Sequence, residues 1–208
     1  MIKPAMRVAI ISIILLISCS GTSTRIVSEW KSSSYKGGDL KTVMVVAHSN
    51  KFTDRKVVED VLVKKFIKLG VRAVPMTAVI SPDREPDKDA IVAAAQKQEM
   101  ESVLVVHLIG ISEESKYTPG PTASEPFEPQ YDDLTQFYGS MDATAGGPGY
   151  YRTEEVVELQ SRLFETKTEK MIWQLITRSA NPGSVEDLVE SFGDLIMKSL
   201  KEDNLLLR

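Results

Sequence analysis

Apolar positions crowd into one short block, Val8 to Ile17, and thin out through a polar stretch. From Thr42 onward they fall into strand-like and helix-like patterns by turns. Thr42-Val43-Met44-Val45-Val46-Ala47 is a continuous apolar run, as expected of a strand buried on both faces. Thr53 or Asp54 can cap a helix in which Val57, Val58, Val61, Leu62 and Ile67 recur at helical spacing, and Gly70 suits its C-terminal stop. Val71 to Val74 reads as a short strand stopped by Pro75. Asp87 or Asp89 opens a second helix to about Gln98, with Ile91, Ala94, Ala95 and Gln98 on one stripe. Ser102 to Ile111 is the most hydrophobic strand and belongs at the centre of a sheet.

Two such crossovers make βαβαβ, and right-handed connections then imply a parallel core. Further on, Val157, Leu159, Ser161 and Leu163 alternate with Glu158, Gln160, Arg162 and Phe164. A polar turn, Glu165 to Lys170, and a returning strand, Met171 to Thr177, complete an antiparallel hairpin. After Asn181-Pro182-Gly183, Ser184 caps a last helix whose stripe is Leu188, Val189, Phe192, Leu195, Ile196 and Leu200. The expected fold is α/β: a βαβαβ-ββ-α sandwich of two or three layers. Its mixed sheet has five strands, with a long insertion before the fourth. Residues 41–204 form the single domain.

The N-terminal block changes the picture. Lys3 and Arg7 precede an apolar run of about ten residues, too short for the ~20 that span a bilayer but suited to a signal-peptide core. It ends in Leu16-Ile17-Ser18-Cys19, which resembles a bacterial lipobox. In that family the cysteine thiol is diacylglycerylated, the peptide is cut before it, and the new amine is acylated. The resemblance implies lipidation of Cys19, a signal peptide over residues 1–18 and a lipidated tether over residues 19–40. Ser20, where Asp would retain a lipoprotein at the inner membrane of enterobacteria, implies the periplasmic face of the outer membrane.

Composition narrows the classes. The 208 residues are 42% hydrophobic and 26% charged, with 12 Gly and 10 Pro, which excludes collagen-like and wholly disordered chains. With 25 basic and 29 acidic residues the net charge is −4, so no concentrated basic face recruits nucleic acid. One Cys permits no internal disulfide, and two His leave little for a metal site. Asp83, Glu85, Asp87 and Asp89 lack the Gly and terminal Glu of an EF-hand, and Pro82 and Pro86 favour a solvated turn. Neither a metal nor a cofactor is expected.

Ser112 to Tyr151 shows neither period and reads as an irregular insertion rich in Pro and Gly. It nevertheless holds half of the aromatic residues: Tyr117, Phe127, Tyr131, Phe137, Tyr138, Tyr150 and Tyr151. Two readings stand. One is a partner-binding flap with Tyr131, Phe137 and Tyr138 as anchors and Glu125, Glu128, Asp132 and Asp133 as an acidic rim. The other is an insertion whose rings cover the sheet edge. Catalytic chemistry is sparse, because no G-x-S-x-G or assembled triad is present. His48-Ser49-Asn50 follows the first strand, at the carboxyl edge where open parallel sheets bind ligands, without a glycine-rich loop. His107 lies within a strand and reads as a packed residue.

The element order, with Leu163-Phe164-Glu165-Thr166-Lys167-Thr168-Glu169-Lys170-Met171-Ile172-Trp173, is similar to a group of small Gram-negative envelope lipoproteins. More loosely it resembles the α/β domain of the curli-secretion lipoprotein family and the N-terminal domain of the Tol-system β-propeller protein. No functional residue transfers with these resemblances. The expected function is a non-enzymatic docking or assembly component of the bacterial envelope, tied to the membrane by its N-terminal lipid and to an envelope protein partner. The alternative is a small-ligand binder or hydrolase at the His48 to Asn50 edge.

Overall fold

The computed structural model describes residues 22–35, 38–80, 87–118, 134 and 150–206. Its strands are β1 (Ser23–Lys31), β2 (Thr42–His48), β3 (Arg72–Pro75), β4 (Ser102–Thr118), β5 (Tyr150–Glu165) and β6 (Met171–Ala180). The helices are α1 (Phe52–Lys68), α2 (Lys88–Lys97) and α3 (Val185–Glu202), with a 3-10 turn at Met76–Ala78. Among the described residues one mixed sheet runs β1-β6-β5-β4-β2-β3. β2 pairs in parallel with β3 and β4, and the remaining pairs are antiparallel. The α/β class and the βαβαβ-then-hairpin order are as the sequence implies.

The sheet has six strands, not five. The extra one, β1, lies in the segment read as a tether and pairs antiparallel with β6 along the sheet edge. Two features hide it. An edge strand exposed on most positions carries little apolar signal, and a bulge at Val27 reverses the alternation midway. Before the bulge Ile26 packs on the core; after it Glu29 reaches α3 and Trp30 points to the opposite face beside Gln174.

Residues 112–118 and 150–151, expected to be irregular, extend β4 and β5 into a two-stranded arm beyond the sheet. Neither β2 nor β6 accompanies it, so both faces are solvated and no alternation marks it. Like charges even lie opposite one another, at Glu113 and Glu155, Glu114 and Glu154, and Lys116 and Arg152. Such pairs oppose pairing, while the diagonal Glu114 to Arg152 and Lys116 to Glu154 combinations favour it.

On one face of the sheet, α1 and α3 bury Leu62, Phe66, Phe192, Ile196 and Leu200 against Val45, Leu104, Leu163, Trp173 and Leu175. Each such side chain contributes ~1.5–3 kcal/mol by leaving water. The residues of α1 that face inward are Arg55, Glu59, Leu62, Val63 and Phe66, whereas Ile67, placed on the stripe by its spacing, is exposed. Gly193 allows α3 close to α1: a Cβ there would sit 2.8 Å from Lys65 Cε and 3.1 Å from Leu62 Cδ2. Lys65 ties the pair through Glu190 and Asp194, each at 2.6 Å. A bulge at Ile172 turns both Ile172 and Trp173 into the core, where strict alternation would admit one.

On the other face α2 covers only the β2, β3 and β4 side, packing Ala94 and Ala95 on Met44, Val46 and Val103. The β5–β6 part of that face is polar: Gln174 Oε1 accepts from Arg162 Nε at 2.9 Å and Gln160 Nε2 at 3.2 Å. The sandwich therefore has three layers over one half and two over the other.

Caps explain most helix ends. Asp87 accepts from Ala90 N at 2.9 Å and Ser184 from Asp187 N at 3.0 Å. Gly70 adopts φ 79° after α1. Neither Thr53 nor Asp54 caps α1: the helix starts at Phe52, with Lys51 at the cap and no side-chain cap bond.

Candidate functional site

β2 and β6 end at the same edge of the sheet, where β4 runs on into the arm, and the chain leaves β2 into α1 and β6 into α3 there. Between the first turns of the two helices and the sheet lies a cleft of ≈ 340 Å³. Its floor depends on a third bulge. Leu108 lies opposite Leu159 and Ile111 opposite Val157, with Ile109 as the extra residue between, so Leu108 and Ile111 share one face. Val58 of α1 and Val185 and Leu188 of α3 form the walls, so the lining is mainly aliphatic. Polar groups at the cleft include His48, Ser49 and Asp54.

The structure thus brings His48 and Ser49 to a concave site at the expected edge, together with an acid, Asp54. Asn50 is exposed and lies outside the lining. Ser49 Oγ accepts from Lys51 N at 3.2 Å and so closes the turn into α1. The His48 ring stands edge-on to His107, with centroids 6.4 Å apart. Burial pushes the His107 pKa down, and the Arg162 cation and His48 add to this.

Sequence reasoning missed Glu59. Its carboxylate, fully buried, accepts from Ala47 N at 3.0 Å and from Thr77 N at 2.7 Å, stapling α1 to the end of β2 and to the 3-10 turn. Burial raises its pKa, and those N–H donors and Arg55 counter the rise in part. The one available signal was spacing, since Glu59 precedes Leu62 and Phe66 at helical intervals.

Cys19 and the aromatic residues Tyr131, Phe137 and Tyr138 lie outside the described residues. Of the insertion's rings, Tyr117 and Tyr151 are described on the arm, with centroids 5.2 Å apart, and Tyr150 stands beside them, exposed. Asp87, in the acidic run that lacks an EF-hand's Gly and terminal Glu, caps α2, while Asp83 and Glu85 lie outside the described residues. Among the described residues no cluster of three or more His, Cys, Asp or Glu could hold a metal, and no helix is long and apolar enough to cross a membrane.

No protein-family model matches this chain, and no curated protein matches it in sequence. Among solved structures it is similar to the PelC dodecamer from Paraburkholderia phytofirmans, at 14% identity and TM-score 0.43, over 90% of this chain and 99% of that one. It is also similar to lipoprotein GNA1162 from Neisseria meningitidis, at 11% identity and TM-score 0.40, over 77% of this chain and 98% of that one. A third similar structure is the hypothetical protein CT253 from Chlamydia trachomatis, at 12% identity and TM-score 0.33, over 71% of this chain and 76% of that one.

Proposed function

We propose that this chain is an envelope lipoprotein, anchored through Cys19 at the periplasmic face of an outer membrane, that acts as a non-enzymatic docking or assembly component. The observation that carries the reading is the apolar run ending in Leu16-Ile17-Ser18-Cys19, set just ahead of the first strand at Ser23. A thiol at that place is the nucleophile for lipid transfer. Several acyl chains on one residue make a durable anchor, because each buried CH₂ contributes ~0.8 kcal/mol while a single chain is marginal.

The docking part of the reading is supported by the arm. A two-stranded ribbon is marginal in water by itself, and this one carries Tyr117, Tyr150 and Tyr151 exposed. Such a ribbon gains stability by packing on another surface, and aromatic residues commonly carry the energy of an interface.

Feeding cells an alkynyl fatty acid tests the anchor. The wild-type chain takes the label and Cys19→Ala loses it; label retained on the variant sinks the lipoprotein reading. The cleft favours a second reading, a binder of a small apolar ligand, and a Leu188→Trp chain that still folds would then lose uptake of an apolar fluorescent probe.

A further inference from the structure

The walls of the carboxyl-edge cleft that matter here are Val58 of α1, Leu108 and Ile111 of β4, Val157 and Leu159 of β5, and Leu188 of α3. They present branched aliphatic groups, and no Phe, Tyr or Trp joins the lining. His48, Ser49, Asp54, His107, Glu155 and Ser184 also line the cleft, but most of its surface is aliphatic, and a flexible hydrocarbon chain meets that surface with methyl and methylene contacts alone. The volume of ≈ 340 Å³ sits at the small end of the ~300–1,000 Å³ of small-molecule sites, which suits one chain better than a whole lipid. Leu108 and Ile111 stand 46% and 61% exposed, so an occupant would remove apolar surface that the fold itself leaves in water.

The described chain begins against α3, about one helical turn from Leu188 of the cleft wall. Ser191 Oγ lies 2.6 Å from Thr24 Oγ1 and donates to the Thr22 carbonyl at 3.2 Å, which holds the start of β1 against α3. Ser191 is about one turn along α3 from Leu188. Cys19 precedes Thr22 by three residues, a span of at most ~11 Å when extended. That span is short enough for an acyl group on Cys19 to reach the cleft.

We propose that the cleft is an acyl-chain site and that one of the chains borne by Cys19 occupies it, leaving the others for the membrane. The proposal rests on the lipoprotein reading above. It assigns the ligand class, a hydrocarbon chain, and its source, the protein's own anchor. One consequence is orientation: the domain would sit with the carboxyl ends of β2 and β4 toward the lipid.

The test is photocrosslinking in the full-length, lipidated protein. Cells are fed a palmitic acid analogue bearing a diazirine, the protein is purified, Cys19 acylation is read by mass, and the irradiated chain is digested and mapped. The expected result is crosslinks to peptides carrying Leu108 to Ile111 or Leu188. They should be lost in Leu188→Trp and, separately, in Ile111→Trp, an exposed position where folding is not at stake, with Cys19 acylation and the melting temperature unchanged. If Cys19 is acylated but the crosslinks reach only phospholipid, the proposal is overturned and the lipoprotein reading stands. An unmodified Cys19 overturns both. Equal labelling of the cleft in Cys19→Ala shows that the site takes a lipid from elsewhere, which overturns the assignment to the protein's own anchor.

Discussion

The indole N–H of Trp173 donates to Ser199 Oγ at 3.1 Å, and both residues are fully buried. Ser199 in turn donates to Glu29, so a single relay joins β6, α3 and β1. Trp173→Ala removes a large core side chain and should cost ~3–5 kcal/mol. Ser199→Ala removes one acceptor of the buried indole N–H, with the Asp203 carboxyl still beside it, and should cost ~0.5–1.5 kcal/mol. Trp30 is 43% exposed on the far face of β1, and Trp30→Ala should change little. Urea melts of the three variants check this ranking; equal losses from the two tryptophans would contradict it.

Glu59 makes stability depend on pH. Its folded pKa lies above its unfolded value because burial disfavours the carboxylate. The fold therefore holds the proton more tightly, and this contribution is fully present below the ordinary carboxylate range, ~4.3. It is lost as pH rises through the raised folded pKa. Glu59→Gln should abolish that part of the pH dependence, while setting one amide N–H₂ against a backbone donor. Glu59→Ala leaves the N–H groups of Ala47 and Thr77 without an acceptor, at ~1–3 kcal/mol each. Denaturant melts across an acid-to-neutral series, wild type against Glu59→Gln, read the difference directly.

His107 should titrate below the ordinary histidine range, from burial first and then from the Arg162 cation and His48. A depressed folded pKa gives stability that is present above the unfolded pKa and lost as pH falls through the folded one. Arg162→Gln removes the cation and should raise the His107 pKa toward the ordinary value. Following the ring proton by NMR across pH tests both statements; a midpoint that ignores Arg162 would leave burial and His48 as the causes.

The insertion beyond the arm can be removed cleanly, because Thr118 and Tyr150, the last pair of the arm, lie directly opposite each other. Joining them by Asn-Gly in place of residues 119–149 suits a two-residue hairpin turn. Loop closure changes by only ~0.6 kcal/mol per doubling of length, so the melting temperature should hold. In cells the shortened chain should keep its lipid and lose its crosslinked envelope partners, and changing Tyr131, Phe137 and Tyr138 to Ser should have the same effect. Partners that survive both changes would move the docking surface from the insertion to the arm, whose exposed Tyr117, Tyr150 and Tyr151 both variants keep.

Buried elements were the readable ones. β2 and the first half of β4 announce themselves because strands covered on both faces must be apolar throughout, and the stripe of α3 does so because one helix face meets the core. The carboxyl-edge position of His48 and Ser49 followed from strand order alone. β1 and the arm were not readable, for one reason in two forms: their ordering comes from backbone pairing, and pairing leaves little trace in side-chain polarity.

By itself, then, the chain determined the alternation of strand and helix, the parallel core, two of the three helix caps, and the resemblance of its start to a lipobox. Tertiary structure alone decided what lies next to what. Three bulges, at Val27, Ile109 and Ile172, each shift a strand's phase by one residue. They set Glu29 rather than Trp30 against α3, put Leu108 and Ile111 on one wall, and send Ile172 inward beside Trp173. Glu59 reads as an ordinary helix carboxylate until the fold closes two backbone N–H groups over it. Local pattern records which residues avoid water; only long-range pairing fixes which of them meet.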